Sequence, residues 1–561
     1  MRDPSLERLT AGSALALCTA TICVYPLYVD KFSNLGVTKF TAVFMLFVLW
    51  CILLGSCALI GGKARAGRLD AARKDPTCWG LAAFAGTSLL ATVVSLQPLW
   101  SFWGLGSYYG GLSMVLFTAA GYLAVRAYAP DKAMDYLSAA AGVAVIIITV
   151  LYVLNIFDVD LIGTYENTAV SEREEFFSTL GQKDFNAGYM CVALPLVFYA
   201  YLTAKGRLRS FLYGIPACFG ALALAVVEAD GLTLGIGTAM MVLACHRDFD
   251  TRKMRRGAVV GVMFFAWAYA MHCIRAITFT QGGVSILGKF GEPRLAFPLG
   301  IACLVIWAAL AWRAHRGKPE ISLCMLGRVL TVLLLAAGAG LFVLANFWPG
   351  FPSLGALDNF FVFNDAWGTY RGVGWRAAWG VWADAPLWRK ILGYGPGMMH
   401  QAVAAWAGDN ITDRMATFYA AHNEYLEQLL STGILGLAGW LLFVGSHLRR
   451  GFARWSDPRV AAILLALCSY LVQAVVSIRV SMVFPEVMLL FALLAAWTSP
   501  NPQEQPAEAV AQPRGKKARR KAQAPVQAES RVRPLVRVTV AAVGSMVVAA
   551  ALSHLFFSTW F

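Results

Sequence analysis

Long apolar runs, each about the length of a membrane-crossing helix and each ended by a short polar connection, set the pattern of this chain. They fall at 12–29, 38–61, 78–97, 107–126, 135–156, 187–204, 210–228, 231–246, 257–276, 294–312, 322–347, 424–446, 460–477 and 481–498. An α-helix satisfies its own backbone groups, so a bundle of helices is the natural form for such segments in lipid. The pattern predicts an all-α, polytopic transmembrane bundle of about 14 spans over residues 1–498. A further run at 537–557, within 537–561, predicts one more C-terminal transmembrane helix. Two connections are long, at 157–186 and 348–423. The second exceeds what a bare loop sustains in a folded protein, so it is expected to carry helices of its own.

Composition strengthens this picture. Of 561 residues, 58% are apolar and 14% charged, with a mean hydropathy of +0.60. A soluble fold of this size could not bury so much apolar surface. The first run follows only Arg2, Asp3, Glu7 and Arg8 as charges and is succeeded by span after span, so it reads as a first transmembrane helix rather than a cleaved leader. The net charge of +15 does not point to nucleic acid, because the basic residues sit in short connections. Lys63, Arg65, Arg68, Arg73 and Lys74 follow run two; Arg207 and Arg209 follow run six; Arg313, Arg316 and Lys318 follow run ten. Basic clusters recur after even-numbered runs, which places the N-terminus in the cytoplasm and the two long connections outside it. Residues 499–536 are rich in Pro, Gln, Ala and Glu and contain a basic stretch, Lys516 to Lys521. They read as a disordered cytoplasmic linker that touches the membrane surface. The twelve cysteines lie mostly in apolar runs without metal-ligand spacing, so neither a metal nor a cofactor is expected.

Chemistry-bearing residues gather on the outward side. The stretch Ala421-His422-Asn423-Glu424-Tyr425-Leu426-Glu427 opens a span just where the long loop returns to the bilayer. A neutral imidazole there is suited to taking a proton from an attacking hydroxyl, with Glu424 or Glu427 as candidates to orient it. In Trp367-Gly-Thr-Tyr-Arg371-Gly, no acid follows Arg371 within four positions; its forked guanidinium suits a phosphate or pyrophosphate. Lys183 and Asp184 stand where Ser178–Tyr189 leads into a span, and a lysine at a helix start can face an anion. Asp230, Arg479 and, more weakly, Arg275 lie in or near outward turns, where charges at membrane depth are functional candidates by default.

Taken together, these patches resemble the O-antigen ligase and O-antigen polymerase superfamily over roughly residues 140–498. The resemblance rests on Leu392-Gly-Tyr-Gly-Pro, on Ala421-His-Asn-Glu-Tyr-Leu-Glu-Gln-Leu-Leu-Ser-Thr-Gly-Ile-Leu-Gly-Leu, on Ser178–Tyr189 and on Trp367–Gly372, in that family's order. It implies a bacterial cytoplasmic-membrane enzyme and a metal-independent, inverting glycosyl transfer on the outer face. The donor implied is a glycan on an undecaprenyl-pyrophosphate-type lipid, and the acceptor a hydroxyl on a second glycan or glycolipid. The family's essential loop histidine falls on His422 and its pyrophosphate-contacting arginine on Arg371. Glu424 and Tyr425, just after that histidine, are expected to bind substrate together with Lys183, Asp184, Asp230, Arg376 and Arg479. Two departures stand out. Gln182 and Asp184 occupy positions where many members have Asn, and Ala229-Asp230-Gly231-Leu232-Thr233 lacks the arginine found there in many members. The second donor contact is then expected from Lys183, Arg376 or Arg479. A polysaccharide polymerase joining lipid-linked repeat units is an alternative within the same superfamily, and a lipid-glycan transporter an alternative outside it. No matched pair of Gly/Pro-broken spans in corresponding halves favours the transporter.

Overall fold

The structure is a computed structural model that describes residues 4–60, 75–104, 108–130, 132–276, 285–412, 415 and 418–499. The basic connection at 61–74 and, beyond Ser499, the expected linker at 499–536 and the expected span at 537–561 lie outside the described residues.

The chain is a polytopic helical membrane protein. Fourteen apolar helices of the described residues make its body: α1 (Pro4–Thr19, continued by a π-helical turn Ala20–Val24 and Tyr25–Leu27), α2 (Leu35–Ile60), α3 (Pro76–Val93), α4 (Leu112–Tyr128), α5 (Ala133–Ile156), α6 (Lys183–Thr203), α7 (Arg207–Val226), α8 (Asp230–Ala244), α9 (Thr251–Arg275), α10 (Pro293–His315), α11 (Cys324–Phe347), α12 (Glu424–Ala453), α13 (Pro458–Gln473) and α14 (Phe484–Thr498). Ten are long and apolar enough to cross a membrane, and the α1, α4, α8 and α14 segments are shorter apolar helices. Each overlaps one apolar run read from the sequence. Local chemistry explains the helix starts. Asp75, Asp250, Asn423 and Asp457 cap α3, α9, α12 and α13 with side-chain oxygens that accept from the first free N–H groups. Proline stands at the first position of α3, α10 and α13, where its missing N–H costs nothing.

The helices differ in how much protein surrounds them. In α6 and α13, 89% and 83% of the membrane-length window is buried, so these two run through the centre. For α10 and α11 the figures are 6% and 0%, so they stand at the periphery. Between α3 and α12 the backbones approach closely through glycine. A Cβ on Gly80 would stand 2.5 Å from the Phe443 nitrogen, and one on Gly439 would stand 2.8 Å from the Phe84 nitrogen. Small residues permit such close packing of helices in lipid. At the far end of the same helices, the buried carboxylate of Asp75 meets Arg126 of α4 and Arg450 of α12 and also accepts from Thr77 Oγ1. Arg449, Arg454 and Arg459, around the α12–α13 junction, add further positive charge among the described residues there.

Residues 348–423 are partly helical, as their length predicted: short helices span Asp358–Phe361, Trp367–Asp384, Leu387–Leu392 and Met399–Ala407. A small core of Ala377, Ala378, Val381, Met399, Ala402 and Val403 holds them together and includes Ala421 and Leu430 from the α12 entry. A second tie runs through the backbone. Inside α12, Gly433 has φ 66° and ψ −170°, which breaks the helix and frees carbonyls one turn earlier. The N–H groups of Tyr394 and Gly395 donate to the Leu430 and Ser431 carbonyls at 3.0 and 2.8 Å. Non-helical backbone at membrane depth is tolerated only where protein satisfies it.

Only glycine readily adopts the Gly433 conformation, and a Cβ there would stand 2.1 Å from the Ile391 oxygen. We therefore expect Gly433→Ala to lose about 1–3 kcal/mol from backbone strain alone, read as a lowered thermal midpoint in nanodiscs. Gly445→Ala, at a helical position of α12 with nothing within 4 Å, should leave the midpoint unchanged or slightly raised.

Candidate functional site

The entry of α12 is built by three side chains in sequence. Asn423 Oδ1 accepts from the Tyr425 and Leu426 N–H groups, both at 3.0 Å. Glu427 reaches back one turn, its Oε2 accepting from the Ala421 N–H at 2.8 Å. His422, between these caps, takes a left-handed backbone with φ 48°. The residues on either side of the imidazole are thus held while the ring projects from a turn.

Neither glutamate orients that ring. Glu424, only 2% exposed, receives Arg479 Nε and Nη2 on Oε1 at 2.8 and 2.7 Å, and the Tyr470 hydroxyl on Oε2 at 2.9 Å. Glu427 uses its second oxygen on Ser431 Oγ at 3.3 Å. Arg479 spends its remaining nitrogen on Gln428 Oε1 at 2.9 Å, with its guanidinium 4.7–5.1 Å from the ring centres of Phe84, Trp440 and Phe484. The Tyr425 hydroxyl donates to the Leu471 carbonyl at 2.9 Å. Glu424, Tyr425 and Arg479, expected to face substrate, form a brace that locks α12 to α13 and to the turn before α14.

The carboxylate that acts on His422 comes from elsewhere. A two-stranded hairpin pairs Phe176–Phe177 with Gly181–Gln182 and feeds directly into α6. Fully buried Asn186 organises it, donating to the Gly181 carbonyl at 2.9 Å and receiving Ser178 Oγ at 2.7 Å. Asp184, in the first turn of α6, then meets Arg371 at 3.0 Å. Arg371 is therefore not the unpaired arginine that its sequence neighbours suggested; its acid lies 187 positions away. Its Nη1 donates to the Gly368 carbonyl at 3.0 Å, and its Nε is a buried nitrogen without a hydrogen-bond partner among the described residues. Three consecutive left-handed residues, Gly368, Thr369 and Tyr370, aim it. Gly372 follows because a Cβ there would overlap the Asn364 oxygen.

His422 feels both members of this pair. Burial is the largest influence and favours the neutral ring; Arg371 pushes the same way and Asp184 opposes them, leaving the imidazole lowered to about 4. The ring of Phe418 meets it edge-on at 5.6 Å. His400, the other loop histidine, stacks on Tyr419 instead.

The remaining candidates divide. Lys183 adjoins Asp184 in sequence, and its charge reaches Glu228, which pairs with Arg275 at 2.6 Å. Asp230 accepts the Ile286 N–H at 3.0 Å and so caps a short helix. Arg376 is not brought to His422; it forms an exposed pair with Asp365 at 2.9 Å. Sequence reading passed over Lys39 and Glu486, both fully buried, although a charge inside an apolar run was the available signal. Four of the non-glycine residues with positive φ, Ser178, Thr369, Tyr370 and His422, belong to the three segments that converge here. Strained backbone of this kind collects at functional sites. Among the described residues no group of three or more His, Cys, Asp and Glu is placed to hold a metal ion. In comparisons with known proteins, no family model and no curated protein matches the chain.

The depressed His422 value has a measurable sign. The folded protein keeps the ring neutral between about 6.5 and about 4, where an unfolded chain would protonate it. Diethyl pyrocarbonate attacks only neutral imidazole, so labelling of His422, read by mass spectrometry, should persist down to about pH 4. Arg371→Ala should move the loss of labelling to higher pH, and Asp184→Asn should move it lower.

Proposed function

We propose that the protein is a membrane glycosyltransferase that moves a glycan from a polyprenyl-pyrophosphate-type lipid to an acceptor hydroxyl on the outer face of the membrane. The observation that carries this reading is the convergence of His422 with the Arg371–Asp184 pair, from loop and α6 entry, at the end of α12 opposite its basic clamp. Positive charge concentrates on the cytoplasmic side of membrane proteins, so the site faces outward. The resemblance of the four sequence patches to O-antigen ligases and polymerases supports the same chemistry.

In this reading the acceptor oxygen attacks the anomeric carbon. A glycosidic C–O bond forms, the bond from that carbon to the pyrophosphate oxygen breaks, and the lipid pyrophosphate leaves with the electron pair and the charge. The acceptor proton passes to His422 Nδ1 or Nε2. Arg371 stabilises the charge that grows on the leaving group, through the Nε and Nη groups that Asp184 does not occupy. An imidazole at about 4 is a weak base for this task, but the donor alters its surroundings. A pyrophosphate beside Arg371 cancels the guanidinium charge and adds negative charge, and both changes raise the ring toward the working range. The base is therefore strengthened by the substrate that needs it. Asp184, partly released from Arg371, is the carboxylate left to stabilise the imidazolium.

Purified protein in nanodiscs, given a lipid-pyrophosphate glycan donor and a glycan acceptor, should release lipid pyrophosphate and lengthen the acceptor. His422→Ala should lower that rate by about 10²–10⁴-fold with an unchanged thermal midpoint. Normal transfer by this variant, or movement of intact donor across the bilayer without glycan transfer, overturns the reading. Arg371→Ala should lose more transfer than Arg371→Lys, because lysine keeps the charge but not the fork.

A further inference from the structure

The opposite end of the bundle carries a corner that has no part in the steps above. Helix α6 starts at Lys183, beside the candidate site, so its last turn, ending at Thr203, stands at the far end. There it meets the starts of α7 and α9. Arg256, in the second turn of α9, closes the corner. Its Nη1 donates to the Tyr201 and Ala204 carbonyls at 2.7 and 2.8 Å, and its Nη2 donates to Ser210 Oγ at 2.6 Å. Arg252, one turn earlier, reaches the same Ala204 carbonyl through Nη2 at 2.9 Å. Carbonyls left free at a helix C-terminus favour cations, so α6 holds these two arginines where it ends.

The positive charge gathered here exceeds what the protein neutralises. Arg255 adjoins Arg256 and lies three positions after Arg252, and the like charges of Arg252 and Arg255 both act on Arg256. Arg207 stands three positions before Ser210, on the side of α7 that Ser210 turns toward α9. Among the described residues no carboxylate pairs with Arg207, Arg252, Arg255 or Arg256; Asp250, which caps α9, is taken by Lys253 at 3.6 Å. Guanidinium groups held together in this way repel one another until an anion joins them. The surface next to them is apolar. Phe211 and Ile215 follow Arg207 at four-residue steps along α7 and are 67% and 40% exposed. One stripe of α7 therefore runs from a cation at the end of the bundle to apolar side chains within the membrane-length segment. A free anion matches only the first half of that stripe. A phosphate joined to an acyl chain matches both. A headgroup with its own cation would be repelled by the arginines it met.

We propose that the corner between α6, α7 and α9 binds an anionic diacyl phospholipid, its phosphate held by Arg207, Arg252 and Arg255 and an acyl chain lying along Phe211 and Ile215. Basic pockets between membrane helices at headgroup level take such lipids. Arg256 is a positioning residue, because its hydrogen bonds build the corner rather than face the phosphate. The assignment is independent of the glycan-transfer reading: this lipid is bound at the end of the bundle away from His422 and is not a reactant.

Native mass spectrometry of the full chain, titrated in detergent with phosphatidylglycerol or with phosphatidylcholine of the same acyl chains, tests this directly. The wild type should bind phosphatidylglycerol about tenfold or more tightly than phosphatidylcholine. Arg207→Gln/Arg255→Gln should weaken phosphatidylglycerol binding by about 30-fold, the loss expected for two basic residues at a membrane surface. Arg313→Gln/Arg316→Gln, an equal loss of charge at the end of α10, should leave the tightest binding unchanged. The thermal midpoint in phosphatidylcholine nanodiscs reports whether each variant folds. If the first pair fails to fold, Arg255→Gln alone should weaken binding by about fivefold. Equal affinity for the two lipids, or equal effects of the two paired variants, overturns the site. Displacement of the lipid by millimolar inorganic phosphate shows a site for a free anion and overturns the lipid assignment.

Discussion

A carbonyl inside a membrane must find a donor, and that requirement organises the working end of this protein. Gly433 breaks α12, and the oxygens freed at Leu430 and Ser431 are met by N–H groups of Tyr394 and Gly395. Leaving such groups unmet in hydrocarbon costs several kcal/mol each. The long loop is thus bonded into the span at the break, and its small core closes over Ala421 and Leu430. Everything the loop carries, Arg371 included, inherits its position from that repair. The Leu-Gly-Tyr-Gly-Pro and Ser-Thr-Gly sequences are two halves of one joint: one supplies donors and the other supplies the break.

Three carboxylates crowd the same end, and each has a different role because each has different partners. Glu424 is neutralised within the bundle by Arg479 and Tyr470 and behaves as a structural pin. Glu427 accepts from a backbone N–H and a serine and keeps capacity for more. Asp184 holds Arg371 at the protein's polar margin, where the side chains are 15–20% exposed. Buried pairs such as Glu424–Arg479 are hard to disturb, because removing one partner strands the other charge. The Asp184–Arg371 pair is more accessible, so an incoming anion can compete for it. Burial thus separates the scaffold from the group that can respond.

The bundle was legible because its signal is compositional: an apolar run of sufficient length has few alternatives in lipid. The helices within 348–423 were legible from loop length, and His422 and Arg371 from their polar settings. Partnership was not legible. Glu424 pairs with Arg479 across 55 positions and Arg371 with Asp184 across 187, separations that only packing can close. The sequence also made Glu424 and Glu427 natural partners for His422, because they follow it closely. The cap geometry turns both away, since Asn423 begins the helix and Glu427 folds back to Ala421. Arg376, a candidate for the second donor contact, lies five positions beyond Arg371 and pairs with an exposed acid instead.

The left-handed turn before Arg371 has an entropic consequence. Thr369 and Tyr370 each adopt a backbone that costs an L-residue about 1–2 kcal/mol, so the turn persists only because the loop around it insists. That energy is spent when the chain folds, not when a ligand arrives. A flexible arginine on an open loop would surrender its rotational freedom on each encounter with an anion. Here the side chain is already restricted by the Gly368 carbonyl and by Asp184. An anion that displaces the carboxylate finds the guanidinium fork in place, and more of the contact energy remains as affinity.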